Sequence, residues 1–525
     1  MNFNALKAAT ALTIALGLTS ANAATGDKIR ITNEKGQPIA GADVLVGNEP
    51  GKPFANNLLH TDVNGNITVT ADWKTALPLT VTASGYLRAT FLNVAPAPAE
   101  FQLHTADVPT QIEIKGRATQ FGDLRKDGKV DFGLVYPALN RRQLAQFEIE
   151  NVISPQFDQI KVLTETVSVP SNLTLPRQDE SYILPITLEK PEYRLYVKDP
   201  GTYRVMATHG QFPLKQVVSQ LRDGKSFYEV LNLFKFSECG QRDIVVNDKT
   251  SDQDVPINQV AFTRTVPIKA PTLDAGQVML SAALTSQGDL YFPSDIKRIE
   301  SGEQAQLAAP VASGNNYLVS LLMPQKEAEK IGGVHTTIVP APEDPTQHIS
   351  ADFKIVFERF AQLFGLFIPA DQGESAKPSD QPKFDANDGP GGMSIALNNE
   401  SDSQPTFLSL IARPTVVSKT AVSMTAPAEI KGIQPVATYV VLSQIDHVAM
   451  GDYQLERRYR LWEVYYPGWV NQVQLPNLGL TFEPGKTYRW EVFYMGSTQT
   501  NFSDNAKIYF LDKVTHVSHN SFDIQ

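Results

Sequence analysis

The stretch KGQPIAGADVLVG, residues 35–47, decides how the beginning of this chain folds. Pro38 fixes φ near the end of one extended run, and Gly41 permits a tight backbone turn before the next run. Ala42, Val44 and Val46 then place apolar side chains at every second position, which is the period of a strand with one buried face. The stretch predicts strand, turn and strand, and it contains no group that performs chemistry.

The same alternation continues outward from this stretch. The runs KIRITN, NITVTADW and LTVTASGYL alternate apolar and polar residues, and the turn-rich segments EKGQP, NEPGKP and DVNGN separate them. Period-two runs with turn signals at this spacing are typical of an antiparallel sandwich. We therefore expect Val44, Val46, Val69 and Val81 to lie inside one small β-sandwich.

Three segments in order, NEKGQPIAGADVLV, HTDVNGNITV and LTVTASGYLRATF, resemble the carboxypeptidase regulatory-like domain over residues 24–104. The pattern of that family is G-x-P-[ILV]-x-G-A-x-V, then T-D-x-[ND]-G, then a strand that ends in Gly-Tyr. The resemblance implies a transthyretin-like β-sandwich. The zinc carboxypeptidases to which this domain is attached need a His-x-x-Glu pair, and none of the eight histidines is followed by Glu at the third position. The sequence also lacks H-E-x-x-H, G-x-S-x-G, P-loop and G-x-G-x-x-G motifs, so we expect no enzyme.

The first residues, MNFNALKAATALTIALGLTSANA (1–23), have the pattern of a signal peptide. A single Lys precedes an apolar run that is too short to span a bilayer, and a small-x-small site ends at Ala23. No later segment has about 18 uninterrupted apolar residues, so we expect no transmembrane segment. The pattern predicts an exported protein of the periplasm, the outer surface or the medium.

Composition narrows the class of partner and of domain. The chain has 525 residues, which predicts three to five domains, and a formal net charge of −10 without a long basic run. This charge argues against nucleic acid as a partner. With 35 Pro and 33 Gly, the profile is typical of β-rich domains with many turns. Cys239 is the single cysteine, so it can form no internal disulfide, and we expect a partly buried, inert thiol.

Two middle regions are also predicted to be β-rich. In residues 105–270, apolar residues at helical spacing predict two short helices joined at Gly224. In residues 271–425 we expect one amphipathic helix over 350–367 and a flexible loop over 371–404. The helix carries a stripe of phenylalanines that we expect to face the core, with a partner surface as the alternative. The stripe consists of Phe353, Phe357, Phe360, Phe364 and Phe367.

The last region, residues 426–525, resembles a fibronectin type III sandwich through the segment LPNLGLTFEPGKTYRWEV. The resemblance implies a tyrosine corner, in which the hydroxyl of Tyr488 bonds back to the preceding loop. Trp490 and Val492 would then share the core-facing side of the strand. Domains of this family bind proteins or space other domains.

One segment, GDLRKDGKVDFG, resembles a D-x-[DN]-x-D-G-x-x-D calcium loop. Asp123, Asp127 and Asp131 would supply the oxygen ligands that calcium prefers. Arg125 departs from the pattern, and the alternative, which we prefer, is a plain hairpin turn over 126–129 with no cofactor. Calcium is the only cofactor that the sequence suggests. A second pair, His516 and His519, is a poor metal site because residues three apart on a strand point to opposite faces.

Aromatic residues near a turn, in the segment VYYPGWV, supply the other candidate site. Trp469 and Tyr466 could stack on a sugar ring, because a flat apolar ring fits the C–H face of a sugar. The alternative, which we prefer, is that these rings fill the core of the sandwich or form a hinge.

Together these patterns predict a mainly β, multidomain chain of β-sandwich modules with a few short helices. The predicted function is an exported, non-enzymatic binding or scaffold protein of the bacterial periplasm or cell surface that recognises a glycan or a protein. Two alternatives stay open. One is a hydrolase-type enzyme with its catalytic domain within 105–425, and the other is a structural component of an envelope assembly.

Overall fold

A computed structural model describes most of the chain. The described residues are 26–107, 112–121, 124, 128–145, 156–163, 165–181, 185–197, 199–247, 251–288, 290–311, 316–329, 352–357, 367–369, 392–450, 453–499 and 513–524. The predicted signal peptide, the residues Asp123 and Asp127, and residues 371–391 of the predicted loop lie outside them. Strands dominate the described residues and the helices are short, which confirms the mainly β, multidomain class.

The N-terminal module is a sandwich of two sheets. One sheet has the order β4-β1-β7, and the strands β3-β2-β5-β6 form the other layer. Val44, Val46, Val69 and Val81 are all buried between the layers, as predicted. The strands are β1 (Lys28–Asn33), β2 (Asp43–Val46), β3 (Leu58–His60), β4 (Asn66–Thr68), β5 (Leu77–Thr82), β6 (Arg88–Val94) and β7 (Ala99–Leu103).

The turn residues of this module have local structural causes. Gly65 has φ +74°, and a Cβ atom there would collide with the carbonyl oxygen of Ile31, so only glycine fits. The carboxylate of Asp62 accepts backbone N–H bonds from Asn64 and Asn66, each 2.8 Å long. These contacts close the turn that the T-D-x-[ND]-G pattern predicts.

The second region contains a six-stranded sheet of order β14-β13-β9-β16-β17-β20 and several smaller sheets. Two short helices lie on it, α2 (Leu214–Arg222) and α3 (Phe227–Val230), with Gly224 at φ +86° between them, as predicted. A 3-10 turn at Leu231–Leu233 follows. The other elements are β8 (Ile112–Thr119), β9 (Lys129–Pro137), β10 (Leu139–Asn140), α1 (Arg141–Ala145), β11 (Phe157–Val162), β12 (Glu165–Pro170), β13 (Leu173–Ser181), β14 (Pro185–Lys190), β15 (Glu192–Val197), β16 (Gly201–Pro213), β17 (Lys235–Val246), β18 (Ser251–Asp252), β19 (Val255–Pro256), β20 (Val260–Ala261) and β21 (Arg264–Lys269).

The third region corrects two expectations. Residues 352–357 are helical, but Phe367 lies in a strand, so the helix does not extend over 350–367. A strand also forms within the predicted flexible loop 371–404, because Met393–Asn399 pair with neighbours on both sides. The elements are β22 (Gln277–Gln287), β23 (Leu290–Ile299), β24 (Gln304–Ala309), β25 (Asn316–Pro324), α4 (Gln325–Glu329), β26 (Phe367–Pro369), β27 (Met393–Asn399), β28 (Thr415–Ser418) and β29 (Ala421–Ser423).

The last region joins the others in one long sheet. Its order is β10-β23-β22-β25-β27-β34-β33-β30-β31-β6-β5-β2-β3, so hydrogen bonding crosses the predicted boundary at 425 and reaches the N-terminal module through a parallel pairing of β6 with β31. No helix of the described residues is long and apolar enough to cross a membrane. The strands are β30 (Gln434–Met450), β31 (Tyr453–Pro467), β32 (Gln472–Gln474), β33 (Thr487–Ser497) and β34 (His516–Ile524).

Candidate functional site: two buried charged clusters

A first cluster surrounds His209 in the six-stranded sheet. His209 on β16 lies opposite Glu238 on β17, and β9 on the other side brings Asp131 within reach. His209 Nε2 is 2.8 Å from Asp131 Oδ1, and its Nδ1 is 2.9 Å from Glu238 Oε1. Gln211 donates to the same Asp131 oxygen at 2.7 Å. We call Asp131, His209, Gln211, Ser237 and Glu238 the sheet cluster.

The charge of His209 follows from these neighbours. Burial by itself lowers the pKa of His209, but hydrogen bonds and charges from Asp131 and Glu238 raise it above the ordinary value. Each ring nitrogen faces a carboxylate oxygen, which favours the protonated form of the ring. The ring edge of Phe121 packs against the imidazole, with the centroids 5.6 Å apart.

The sheet cluster has the residue types of a nucleophilic site in an unfavourable arrangement. The Ser237 hydroxyl is exposed and lies 3.4 Å from His209 Nδ1, on the opposite side of the ring from Asp131. A general base must have a free nitrogen lone pair, and Glu238 Oε1 lies closer to Nδ1 than the Ser237 hydroxyl does, at 2.9 against 3.4 Å. The arrangement therefore favours a structural ion network over serine activation.

Cys239 lies directly after this cluster and is buried. Burial raises the pKa of its thiol to about 12, and the nearby charge of Glu238 acts in the same direction. A thiol that stays protonated at neutral pH is a poor nucleophile. The thiol is therefore more deeply buried than the sequence predicted, and its environment favours an inert cysteine.

A second cluster joins the N-terminal module to β30 and β31. We call His104, Asp107, Tyr439, Arg460, Glu463 and Tyr465 the interface cluster. Glu463 Oε2 is 2.8 Å from His104 Nδ1, and Glu463 Oε1 accepts the Tyr439 hydroxyl at 2.6 Å. Arg460 pairs with Asp107 through two side-chain nitrogens at 2.9 and 3.1 Å and also lies 3.3 Å from Glu463 Oε1.

The ionisable groups of the interface cluster shift one another's pKa values. Burial by itself would raise the pKa of Glu463, but the charge and hydrogen bond of His104, with Arg460 and Tyr439, lower it to about 2. Burial alone would lower the pKa of His104, yet Glu463 and Glu34 raise it overall. A buried carboxylate and a buried imidazolium thus keep each other charged.

Aromatic rings continue this contact across the sheet. Phe91 of β6 stacks on Tyr465 of β31 with centroids 5.2 Å apart, and Tyr465 stacks on Tyr439 at 4.9 Å. Phe493 and His519 extend the row, at 5.4 Å and 4.3 Å between successive centroids. The N-terminal module and the last region therefore share one hydrophobic core.

Sequence reasoning missed His104 and Glu463. They are 359 positions apart, and each stands in an ordinary strand pattern. The only local signal was that strict alternation along β31 places Glu463 on one face with the apolar residues Leu461 and Tyr465.

The predicted calcium ligands are not seen together. Asp131 lies on β9 in the sheet cluster, fully buried, with one carboxylate oxygen occupied by His209 and Gln211. Asp123 and Asp127 lie outside the described residues, so the calcium hypothesis stays a prediction. Within the part of the chain that the structure describes, no group of three or more His, Cys, Asp or Glu is placed to hold a metal ion.

The predicted sugar-stacking residues occupy the turn after β31. Trp469 is half-buried, donates its indole N–H to the carbonyl of Met495 at 2.9 Å, and packs its ring against Tyr494. Tyr466 is half-buried near the end of β31. Both contacts of Trp469 belong to the core alternative, and glycan binding stays a prediction.

The second histidine pair lies on β34. His516 is buried, and burial lowers its pKa to about 4. His519 packs against Phe493 and has Glu491 Oε1 at 3.7 Å from Nε2. His516 is therefore a core residue.

Comparison with known proteins gives no family. No protein-family model matches the chain, and no curated protein matches it. Among solved structures, the Bacillus anthracis TIE protein has 10% identity and a TM-score of 0.14 over 56% of this chain and 44% of its own length. A streptococcal ancillary pilin has 9% identity and a TM-score of 0.13 over 56% of this chain and 88% of its own.

The native conformation of E. coli alpha-2-macroglobulin has 9% identity and a TM-score of 0.13, over 93% of this chain and 26% of its own length. All three are similar to this chain only at TM-scores that carry no argument about fold or function. This chain spans less than half of the TIE protein. The functional argument therefore depends on the described residues themselves.

Proposed function

We propose that this protein is an exported, non-enzymatic scaffold that holds β-sandwich modules in a fixed arrangement and binds a protein or a glycan at the cell envelope. Its first module is proposed to be carboxypeptidase regulatory-like and its last fibronectin type III-like. The sequence pattern of residues 1–23 supports export. The observation that carries the proposal is the shared sheet and core between β6 and β31.

The joint between these modules is built for rigidity. A parallel strand pairing, a stacked aromatic row and the interface cluster all cross it. Domains that move independently usually meet through a smaller, wetter and more polar surface. Fixed spacing between modules is what a scaffold requires.

The enzyme alternative would place its centre at the sheet cluster, the described site where Ser, His and Asp lie together. Ser237 and Asp131 contact different nitrogens of His209, but Glu238 lies nearer to the nitrogen that Ser237 would use. A ring nitrogen that faces a carboxylate is poorly placed to accept a proton from a serine hydroxyl. This chemistry supports a binding or scaffold role over hydrolysis.

Fractionation and turnover test the proposal together. The tagged chain, expressed in its native cell, is expected in the periplasmic or surface fraction with Ala24 as the first residue. Purified protein is expected to hydrolyse none of a panel of nitrophenyl esters and glycosides. Turnover that His209→Gln and Ser237→Ala both abolish, or a cytoplasmic chain that begins at Met1, would contradict it.

A further inference from the structure

An irregular segment, residues 405–412, lies against one face of β34, and we call it the strap. Among the described residues it pairs with no strand, yet Leu408 is 0% and Ile411 is 2% exposed. Ile411 belongs to the hydrophobic core around Trp490, whereas Phe407 packs against a separate core of the third region. The strap therefore connects the cores of the third and last regions.

Side-chain hydrogen bonds hold the strap in place. The Ser518 hydroxyl of β34 donates to the carbonyl of Ser409 at 2.8 Å, and the Asn520 amide donates to that of Ile411 at 2.9 Å. The N–H of Ala428 donates to the Ser409 hydroxyl at 3.2 Å. β34 itself pairs with β27 and β33, so the strap can separate from this face without breaking the sheet.

His516 places an ionisable ring beneath the strap. It precedes Ser518 by two positions, so its ring points to the same face of β34, and the backbone of Thr406 in the strap gives it a hydrogen bond. Its Nδ1 is 2.7 Å from the Thr515 hydroxyl, which also accepts the N–H of Thr498. The Thr515 hydroxyl can donate its own proton to Nδ1, so a neutral ring with its proton on Nε2 satisfies these contacts.

The surroundings of His516 oppose a positive charge on its ring. β27 places Ala396 and β33 places Gly496 opposite it, neither of which is charged, and the strap contains no ionisable side chain. Burial lowers the pKa of His516 to about 4, although the hydrogen bond to Thr406 and the charge of Asp402 act in the opposite direction. A solvated imidazole would accept a proton at a higher pH, so acid favours any form in which the ring reaches water.

We propose that the strap is an acid-sensitive latch, in which protonation of His516 releases residues 405–412 from β34 while the sheets around it stay folded. Release would expose Leu408 and Ile411 and loosen the link between the third and last regions. The closed strap is favoured above the ordinary pKa of 6.5 and loses this advantage as pH falls toward the folded value of about 4. The inference adds a conformational change to the chain and does not depend on the proposed function.

Thiol reactivity in the strap measures its release in the purified, full-length chain. In the variant Leu408→Cys the thiol is covered when the strap is closed, and a dithiodipyridine reagent, which reacts with thiols in acid, reports its exposure. The rate at each pH is divided by that of free glutathione at the same pH. Because the ring has a pKa of about 4 in the closed form and 6.5 in water, the corrected rate is expected to rise about twentyfold between about pH 7 and about pH 5.

Matched variants distinguish the latch from general effects of acid. His516→Gln takes up no proton and should abolish most of the rise, whereas His60→Gln, at an exposed histidine, should keep it. Asp402→Asn removes a charge that favours protonation, so the rise should begin at a lower pH. Ile411→Cys repeats the measurement at a second buried position of the strap, which keeps the test valid if Leu408→Cys does not fold.

Three outcomes would overturn the inference. The first is a corrected rate that does not change with pH, and the second is an equal rise in His516→Gln. The third is reaction of Cys239 together with the strap thiol, because Cys239 is buried in a different core and its exposure would indicate general unfolding. The measurement involves neither export nor turnover, so its failure is distinguishable from that of the fractionation and turnover tests.

Discussion

His104 and His209 show how single buried residues take their properties from strands that are distant in the chain. Each ring is desolvated, which alone would lower its pKa, and each has carboxylates that reverse the effect. His104 contacts Glu463 across a module boundary, whereas His209 contacts Asp131 and Glu238 within one sheet. The physical result is the same, because hydrogen bonds between each ring and its carboxylates join segments that are distant in the chain.

Glu463→Gln is expected to lower the free energy of unfolding by about 3 kcal/mol near pH 6, because it removes one charge of a buried pair. The wild-type contribution of Glu463 is present above its ordinary pKa of 4.5 and is lost as pH falls toward its folded value of about 2. The contribution of His104 is complete below 6.5 and is lost as pH rises through its raised folded pKa. Urea unfolding at a series of pH values measures both contributions.

The variant Glu463→Gln should reduce the pH dependence of the free energy of unfolding on both the acidic and the alkaline side, because the pair of Glu463 and His104 no longer exists. Arg460, Asp107 and Glu34 also face the pair, so some pH dependence is expected to remain. Glu429→Gln, at an exposed position, is the matched control and should leave the profile unchanged. Identical profiles for Glu463→Gln and wild type would show that the pair contributes no stability.

Tyr488→Phe tests the tyrosine corner at a single atom. The Glu483 N–H donates to the Tyr488 hydroxyl at 2.7 Å, as the sequence predicted. Removing the hydroxyl is expected to lower the free energy of unfolding by about 1 kcal/mol, the usual net value of one such bond. Denaturant unfolding measures the change, and Tyr466→Phe at a half-buried position is the control. A larger loss in the control would contradict the assignment.

At the scale of elements, the phenylalanine-rich segment before β26 shows what a local sequence pattern predicts correctly and what it does not. Phe353, Val356 and Phe357 are buried, and Phe357 meets Phe212 of β16 edge-on at 6.4 Å. This confirms the core interpretation of the stripe for Phe353 and Phe357, while Phe360 and Phe364 lie outside the described residues. Apolar spacing indicated which face is buried, but it placed the end of the helix too late.

Phe357→Ala is expected to lower the free energy of unfolding by about 3–5 kcal/mol, the usual cost of deleting a buried phenylalanine ring. The ring is 1% exposed in the main core, so truncation leaves a cavity. Thermal and urea unfolding measure the loss. Val311→Ala, at a valine that is 70% exposed, should change stability little. Superimposable unfolding curves for Phe357→Ala and wild type would contradict the core interpretation.

At the scale of the whole molecule, the first and last modules form one structural unit. β6 is an inner strand of the long sheet, since β5 pairs with one side and β31 with the other. An isolated N-terminal module would expose this edge and the ring of Phe91. The module therefore has its own sandwich core but depends on the last region for a protected edge.

A fragment of residues 24–107 is expected to fold but to melt well below the full chain, because it lacks the β31 pairing and the interface cluster. Val46→Asp in the same fragment should prevent folding, since an unpaired carboxylate would replace a fully buried side chain. Circular dichroism and calorimetry measure both. A fragment that melts with the intact chain would contradict the dependence.

The sequence alone determined the features that neighbouring residues control. The alternation around Val44 and Val81 identified the buried faces, because side chains on a strand alternate whatever the partner strand is. The residues Asp62 and Gly65 predicted a turn. The segment around Tyr488 predicted a hydrogen bond between its hydroxyl and the preceding loop, where Glu483 lies. Both predictions were possible because each contact spans only a few residues. These features follow from local geometry.

Tertiary structure decided which edges and which charges meet. The segment Met393–Asn399 reads as a loop because it is flanked by Gly, Asn and Ser, yet it becomes a strand since β25 and β34 supply partners on both sides. His104 and Glu463 gave no joint signal, because nothing local specifies that β6 pairs with β31. Strand pairing between distant segments depends on the complementarity of whole surfaces, and a single sequence does not display that complementarity.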